Sequence, residues 1–212
     1  MRVLYAHGLE SGPTGYKVRQ MEEQGLEVTA PDCAMSLFNP LQSNSVVRSL
    51  FSPRTLFHKA PTKWLSSAMD MSFEACFEIM TAAVNVNCDV LVGSSWGGAV
   101  AAAVLASDAW QGPAVILCPA LAIKERWAGA SSHPSLSASQ IINKLAALPA
   151  HRKKQILLIH GTNDTTVPVE DSMALAETTG ITLELVEGGS HGIGAFTQNG
   201  KLVECVKRVA SI

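Results

Sequence analysis

The strongest chemical signal in the chain is a serine flanked by glycines, in Gly93-Ser94-Ser95-Trp96-Gly97. This segment has the pattern G-x-S-x-G, follows a short apolar run and precedes an alanine-rich stretch, so it is expected to join a strand to a helix. Glycine at both ends permits a turn too tight for side chains, and such a turn lifts the serine hydroxyl above the sheet. The motif predicts that Ser95 is a nucleophile, whereas Ser94 stands in the wrong register.

A serine hydroxyl needs a base to become a good nucleophile at neutral pH, and the chain offers six histidines. His191 lies in a glycine-rich loop after the last predicted strand, which is where motifs of this kind have their base. His58 and His133 follow no strand, and His151 precedes one, which places it at the opposite end of the sheet. The sequence therefore predicts His191 as the base, the alternative being an ordinary surface-loop histidine.

The acid that orients the base is expected after a strand between the serine and the histidine. Asp164 meets this requirement at the end of Ile159-His160-Gly161-Thr162-Asn163-Asp164. Asp108 ends a predicted helix and Asp171 begins one, so neither follows a strand. We predict that Asp164 holds the tautomer of His191 and stabilises its imidazolium, the alternative being a turn-forming aspartate.

A tetrahedral intermediate needs hydrogen-bond donors for its oxyanion. One donor is expected to be the backbone N–H of Trp96, and the other should come from the loop after the first strand. That loop begins with His7-Gly8-Leu9, and we assign the second donor to the N–H of Leu9. His7 is expected to brace this loop and is also a candidate substrate-binding residue. His160 and Gly161 repeat the His-Gly pattern after a later strand and are predicted to be structural.

These residues have to be positioned by a sheet, and short apolar runs alternate with helical patterns through most of the chain. Such alternation predicts a three-layer α/β/α sandwich with a mostly parallel sheet of about six strands. In such sheets ligands bind at the carboxyl ends of the strands, where the candidate residues lie. Strands are predicted over 2–6, 26–30, 89–93, 114–117, 155–160 and 181–186. Helices are predicted over about 15–24, from Ser72 to about 84, over 96–107, 138–148 and 170–177, and around 202–209, with a loop over 119–137.

The segment from Cys33 to about Met71 has no clear period and contains several prolines and serines. We predict a lid-like insertion over residues 33–71, after the second strand, within a single domain over 1–212. Between Cys33 and Met69 it carries basic residues but no aspartate or glutamate. Arg48 and Arg54 are therefore candidate substrate-binding residues for an anionic group, since arginine suits carboxylate and phosphate. The alternative is a solvated lid whose charges only keep it in solution.

The overall composition excludes several classes of protein. Hydrophobic residues make up 47% of the 212 residues and charged residues 16%, which favours one compact domain over a disordered chain. The net charge of −2 and the lack of a basic, aromatic stretch argue against nucleic acid as a partner. No apolar run could span a bilayer, and the early first strand leaves no room for a signal peptide. Five cysteines without metal-ligand spacing predict reduced thiols, a cytoplasmic location and no metal or other cofactor.

Six segments, taken in chain order, resemble the small bacterial YqiA-like esterases of the α/β-hydrolase superfamily. They are 4–9 (LYAHGL), 11–13 (SGP), 93–98 (GSSWGG), 118–120 (CPA), 161–164 (GTND) and 187–191 (EGGSH). The resemblance extends over nearly the whole chain and implies an esterase or thioesterase that uses no metal. It also implies a truncated sheet, in which the first strand here is the third of the full-length fold and the strands stand in the order 2-1-3-4-5-6.

These observations together predict a serine hydrolase that cleaves a small-molecule carboxylic ester or thioester. The predicted triad of Ser95, Asp164 and His191 would act through an acyl-enzyme intermediate. Two alternatives stay open. One is an acyltransferase on the same triad, in which an alcohol or thiol replaces water. The other is a non-catalytic binding module built on the same fold.

Overall fold

A computed structural model of the chain describes residues 1–9, 11–33, 62–84, 88–128 and 136–212. These residues form a six-stranded sheet in the order β2-β1-β3-β4-β5-β6, and every pair of neighbouring strands is parallel. The strands are β1 (Arg2–Ala6), β2 (Glu27–Thr29), β3 (Val90–Ser94), β4 (Ala114–Leu117), β5 (Ile156–Gly161) and β6 (Thr182–Val186). The predicted fold class and strand order are confirmed.

The helices connect successive strands and cover both faces of the sheet. They are α1 (Tyr16–Glu23), α2 (Thr62–Val84), α3 (Trp96–Ala106), α4 (Leu121–Ala128), α5 (Ala138–Ala146), α6 (Ala150–Lys154), α7 (Val169–Thr179), α8 (Gly194–Gln198) and α9 (Lys201–Ala210). Successive side chains of a strand point to opposite faces. Val3 and Tyr5 of β1 accordingly pack in one core with α1 and α9. Leu4 and Ala6 pack in the other core with α2, α3, α5 and α7.

Helix α3 runs directly behind the predicted nucleophile and is buried along all of its 11 residues. Its small side chains allow this close packing: a Cβ at Gly98 would lie 3.2 Å from the carbonyl oxygen of Leu117 on β4. In the described part of the chain, no helix combines the length and apolar character needed to cross a membrane. The alanine-rich sequence of α3 therefore reflects burial against the sheet.

The structure corrects the predicted start of the helix before β3. Helix α2 begins at Thr62 rather than at Ser72, so residues 62–71 are helical, and Ser72 is a buried residue within the helix rather than its first residue. The reason is the buried stripe that includes Met69 and Phe73, which carries the helical period back beyond Ser72. Residues 34–61 lie outside the described residues, so the lid itself stays a prediction.

The loop predicted over 119–137 was wrong over part of its length, because helix α4 (Leu121–Ala128) lies within it. The sequence around Lys124 suggests an exposed polar segment, but Lys124 is fully buried. Its Nζ donates a hydrogen bond to the carbonyl oxygen of Leu136 at 2.9 Å and lies 3.4 Å from Oδ1 of Asp70. A buried, paired lysine occupied a core position and hid the helical period of this segment.

Candidate active site

Ser95 occupies the sharp turn between β3 and α3. Its backbone has φ 59° and ψ −119°, a conformation that residues with a side chain rarely adopt. The turn is held from both sides, because the N–H of Ser95 donates to the carbonyl oxygen of Leu117 at 2.9 Å. The carbonyl oxygen of Ser95 accepts from the N–H groups of Ala99 at 3.1 Å and Ala120 at 3.0 Å. The surrounding structure therefore imposes this strained conformation on a serine.

Three glycines make room for this turn. A Cβ at Gly97 would lie 2.1 Å from the carbonyl oxygen of Ala6, and a Cβ at Gly93 would lie 2.4 Å from the carbonyl oxygen of Gly97. Both distances are far inside van der Waals contact, so neither position accepts a larger residue without a backbone shift. A Cβ at Gly8 would lie 3.0 Å from Cβ of Ser95, so the loop after β1 packs directly against the serine.

Ser95, His191 and Asp164 lie together at the carboxyl edge of the sheet and form a continuous hydrogen-bonded series. Nε2 of His191 lies 2.9 Å from Oγ of Ser95, and Nδ1 lies 2.7 Å from Oδ2 of Asp164. The Asp164 side chain is fully buried, whereas that of His191 is 25% exposed. The acid is thus shielded from water while the histidine and the serine border the solvent.

The loops that carry the acid and the base are tied to each other directly. The N–H of Asn163 donates to the carbonyl oxygen of Gly189 at 2.8 Å, and the N–H of Gly188 donates to Oγ1 of Thr162 at 2.8 Å. A Cβ at Gly161 would lie 2.2 Å from the carbonyl oxygen of Gly189, so the two backbones cross in contact. This close crossing fixes the spacing between Asp164 and His191.

The Asp164 carboxylate is stabilised in its ionised form. Burial alone would raise the pKa of Asp164, but hydrogen bonds from the Val167 N–H, His191 and the Thr166 N–H outweigh burial and hold the pKa below its ordinary value of 3.8. The two backbone N–H groups donate to Oδ1 at 2.8 Å from Thr166 and 2.9 Å from Val167. Oδ2 is left to face His191, which suits an acid that must stay negative near neutral pH.

A second histidine also contacts this carboxylate, and sequence reasoning did not predict this contact. Nε2 of His160 lies 3.1 Å from Oδ2 of Asp164, and the ring is fully buried. Sequence reasoning predicted only a structural role for His160 beside Gly161. The sequence does place a histidine at the end of a strand, four residues before the acid. Spacing along a loop, however, does not show which side chains are in contact.

The two residues predicted to supply oxyanion donors lie at the start of α3 and in the loop after β1. Trp96 is the first residue of α3, so its N–H has no acceptor within the helix. Leu9 follows Gly8 and packs partly buried on the core. The His7 ring is buried, with Nδ1 3.1 Å from the carbonyl oxygen of Gly8, and Nε2 accepts from the N–H of Cys33 at 3.1 Å. Both ring nitrogens are occupied, so the predicted substrate-binding role of His7 would require one of these bonds to break.

Cys118 approaches the same carboxylate and histidine. Ligand atoms of Cys118, Asp164 and His191 all lie within 4.8 Å of one another, the spacing that a metal ion requires. Burial raises the pKa of the Cys118 thiol to about 12, whereas metals bind the thiolate. Nδ1 of His191 and Oδ2 of Asp164 are also bonded to each other. The chemistry of this cluster therefore favours a hydrogen-bonded triad over a metal centre.

The candidate substrate-binding residues Arg48 and Arg54 lie outside the described residues. Their predicted role in binding an anionic group therefore stays a prediction. The same holds for most of the apolar residues of the predicted lid.

Comparison with known proteins supports the hydrolase fold. A match to the family described as "Uncharacterised protein family (UPF0227)" covers residues 36–203. A protein of the alpha/beta hydrolase superfamily from Xanthomonas campestris pv. campestris is 24% identical, with 99% of this chain and 96% of that chain covered and a TM-score of 0.56. Esterase 2 of Thermogutta terrifontis, phosphoramylated by tabun, is 19% identical over 98% of this chain and 81% of that chain, with a TM-score of 0.52.

Est1E from Butyrivibrio proteoclasticus is 14% identical, with 99% of this chain and 85% of that chain covered and a TM-score of 0.51. At these identities the likeness concerns the fold alone. The comparison with curated proteins found no match. The resemblance to the YqiA-like α/β hydrolases inferred from the sequence is confirmed.

Proposed function

Because the chain belongs to the Uncharacterised protein family (UPF0227) and has the α/β-hydrolase fold, we propose that it is a serine hydrolase that cleaves a carboxylic ester or thioester of a small molecule. The observation that carries this proposal is the hydrogen-bonded series from Asp164 through His191 to Ser95, with its distances of 2.7 and 2.9 Å. The order serine, acid, histidine along the chain is the order of this fold. The strained turn at Ser95 adds support, because it presents the hydroxyl towards the base.

The proposed reaction starts when Oγ of Ser95 attacks the carbonyl carbon and Nε2 of His191 takes the hydroxyl proton. The ionised carboxylate of Asp164 stabilises the imidazolium that forms. His191 then gives the proton to the leaving oxygen or sulfur, and the C–O or C–S bond breaks to leave an acyl-enzyme. Water then attacks the acyl group while His191 takes its proton, and His191 returns this proton to Oγ of Ser95 as the acyl C–O bond breaks and the carboxylic acid leaves.

The negative charge of the tetrahedral intermediate needs fixed donors, and we assign them to the backbone N–H groups of Trp96 and Leu9. The first N–H has no acceptor in its own helix. The second lies in a loop that packs against Ser95 through Gly8 and is braced by His7. Donors held in place before the reaction cost no reorganisation, and the loss of one such donor typically lowers the rate about 10²- to 10³-fold.

The remaining expectations about the substrate and the setting belong to the same proposal. We assign the enzyme to the cytoplasm, which agrees with the free thiols of all five cysteines. We treat residues 1–212 as a single domain. An anionic substrate is the hypothesis attached to Arg48 and Arg54.

Covalent labelling with a fluorophosphonate tests the proposal. The similar Thermogutta terrifontis esterase is phosphoramylated by tabun, so a phosphorus electrophile is the matching probe. We expect one label on Ser95 and activity towards a panel of p-nitrophenyl esters and acyl-CoA thioesters. Ser95→Ala should lose the label and roughly 10⁴- to 10⁶-fold of the activity. Ser94→Ala is the matched control, because it removes a serine hydroxyl one residue before Ser95. This variant should keep the label and the activity.

Two results would overturn the assignment. One is a folded Ser95→Ala protein, by circular dichroism, that retains more than about a tenth of the wild-type rate. The other is a wild-type protein that takes no label, which would favour a binding module. An acyltransferase would label in the same way but would transfer the acyl group to an added alcohol or thiol faster than to water, which product analysis reveals.

A further inference from the structure

His160 is a fully buried histidine that connects the acid to helix α7. Nε2 of its ring lies 3.1 Å from Oδ2 of Asp164 and 3.0 Å from the carbonyl oxygen of Val167. Nδ1 lies 2.7 Å from Oγ of Ser172, a serine of α7 that is itself fully buried. Every polar atom of the ring is therefore engaged inside the protein.

These partners determine where the proton on the His160 ring lies. The carbonyl of Val167 is an acceptor only, so Nε2 must carry the proton and donate it there, with the carboxylate of Asp164 beside the same N–H. Nδ1 of the neutral ring is then an acceptor, and it receives the hydroxyl proton of Ser172. The carbonyl thus sets the tautomer, and the serine fixes the orientation of the ring beside the acid. Ser172 was assigned no role by sequence reasoning.

The consequence for the acid is a carboxylate with donors at both oxygens. Oδ1 accepts from the N–H groups of Thr166 and Val167, and Oδ2 accepts from Nδ1 of His191 and lies 3.1 Å from Nε2 of His160. These contacts on both oxygens oppose rotation of the carboxylate about its Cβ–Cγ bond. Oδ2 therefore stays directed at Nδ1 of His191.

We propose that His160 is a positioning residue of the active site, whose Nε2–H group lies against the carboxylate of Asp164 and keeps it directed at His191, and which is itself held in place by Ser172 and the carbonyl of Val167. This inference rests on the proposed function but goes beyond it, because it adds His160 and Ser172 to the side chains that position the acid. His160 acts only through Asp164, since it does not contact Ser95 or His191.

The electrostatic surroundings give the direction of the expected pH effect. The titratable groups that face Asp164 are His160 from β5, His191 from the loop after β6, Cys118 after β4 and the partly buried Lys17 of α1. Without the donor on His160, the carboxylate keeps more charge available for the imidazolium of His191. The Asp164–His191 pair then binds a proton more tightly, and activity is lost at a higher pH than in the wild type.

The experiment compares four variants by steady-state kinetics over a pH range with a p-nitrophenyl ester. His160→Met removes the donor at similar volume, and His160→Gln restores an N–H donor near the position of Nε2. Ser172→Ala keeps the ring but removes the hydroxyl group that donates to Nδ1 and fixes the ring orientation. Thr179→Val is the matched control, because it removes another buried hydroxyl from α7, one that donates to the carbonyl oxygen of Leu175 at 2.7 Å.

We expect kcat of His160→Met to fall roughly 10-fold, the lower end of the effect of a hydrogen bond to a charged group because the N–H is shared with Val167, with KM nearly unchanged. The acid limb of its kcat/KM profile should move to higher pH. His160→Gln should recover most of kcat, and Ser172→Ala should show a smaller loss with the same direction of shift. Thr179→Val should match the wild type in both properties.

A folded His160→Met protein with the wild-type kcat and pH profile would overturn the inference. The inference would also be overturned if His160→Met lost kcat without a shift of its pH profile and His160→Gln did not recover kcat. Should His160→Met fail to fold, Ser172→Ala decides, and wild-type kinetics in that variant would overturn the inference. Fluorophosphonate labelling of the wild type distinguishes failure of this inference from failure of the proposed function. A label on Ser95 would leave the proposed function standing, whereas a missing label would contradict it.

Discussion

Replacement of Asp164 by asparagine tests the acid more sharply than its removal, because only one oxygen changes into an NH2 group. The carboxylate accepts two backbone N–H groups at Oδ1 and the imidazole N–H of His191 at Oδ2, which also lies 3.1 Å from Nε2 of His160. An amide offers a single oxygen acceptor. In either orientation its NH2 group must face two donors, so no rotation of the side chain restores the wild-type set of hydrogen bonds.

The backbone decides which orientation the amide takes. The N–H groups of Thr166 and Val167 cannot move their protons, whereas a histidine can change its tautomer. The amide oxygen should therefore face the backbone, with its NH2 group directed at His191. His191 must then offer an unprotonated Nδ1 and carry its proton on Nε2, which faces Ser95. A protonated Nε2 cannot act as the base, and we expect kcat to fall about 10⁴-fold.

The same change has a cost in stability. His160 cannot change its tautomer as His191 does, because the carbonyl of Val167 would then lose its hydrogen-bond donor. One buried polar group of the variant therefore remains unsatisfied. Such a group costs about 1–3 kcal/mol in the free energy of unfolding. In a protein of this size that lowers Tm by roughly 2–12 °C.

The difference in stability between the wild type and Asp164→Asn depends on pH, and the sign of this dependence follows from the pKa of Asp164. The pKa of Asp164 in the folded protein lies below its ordinary value, so the ionised acid stabilises the fold above that value. The stabilisation is lost as pH falls through the folded pKa. The difference in Tm between wild type and Asp164→Asn should therefore narrow in acid. Thermal melts from neutral to acidic pH measure it.

Asp171→Asn is the matched control, because the partly buried Asp171 pairs with the exposed Arg126 at 3.1 Å and takes no part in the site. It should keep the wild-type rate and nearly the wild-type Tm, since exposed pairs contribute little. A folded Asp164→Asn enzyme within about tenfold of the wild-type rate would refute the reasoning. The acid would then have to be sought elsewhere, with Asp32 as the next candidate, although Oδ1 of Asp32 lies 3.9 Å from His7 rather than near His191.

Three further predictions follow from the fold and the site. Gly97→Ala should lower Tm strongly or prevent folding, because its Cβ would lie 2.1 Å from a backbone oxygen, whereas Gly12→Ala, with nothing within 4 Å, should melt like the wild type. Dialysis against EDTA should leave the rate unchanged, and a loss that zinc or manganese restores would contradict the proposed mechanism. An anionic ester should react faster than a neutral ester of equal chain length at low salt. This preference should shrink at high salt and in a double variant that carries Arg48→Gln and Arg54→Gln. Equal rates for the two esters at every ionic strength would support the alternative of a solvated lid.

Much of the fold could be predicted from the sequence because its signals are local. Short apolar runs reveal strands that are buried on both faces, as in β3, where all five residues are buried. Gly93 and Gly97 reveal a turn that excludes side chains, and the position of a residue just after a strand selects Asp164 and His191 from several acids and histidines. Each of these inferences needs only neighbouring residues and one rule about parallel sheets.

The features that sequence reasoning missed depend on contacts between distant segments. Helix α4 was predicted as a loop because nothing in the sequence around Lys124 reveals Asp70 and the carbonyl of Leu136 as partners of a buried lysine. His160 and Asp164 are only four residues apart in the sequence, yet their contact depends on the path of the loop after β5. Ser172 becomes significant only once that loop brings α7 against the ring.

The position of the strained serine within the fold follows from the packing around it. A positive φ at a residue other than glycine costs about 1–3 kcal/mol and persists only where the surroundings enforce it. Ser95 lies between a central strand and a helix that is buried along its whole length, and backbone hydrogen bonds reach it from β4 and from the residues before α4. The centre of the sheet is thus the place where such a cost is most easily offset, because every neighbouring element is itself fixed by the core. A loop at the periphery could hold the same three side chains but could not hold their distances.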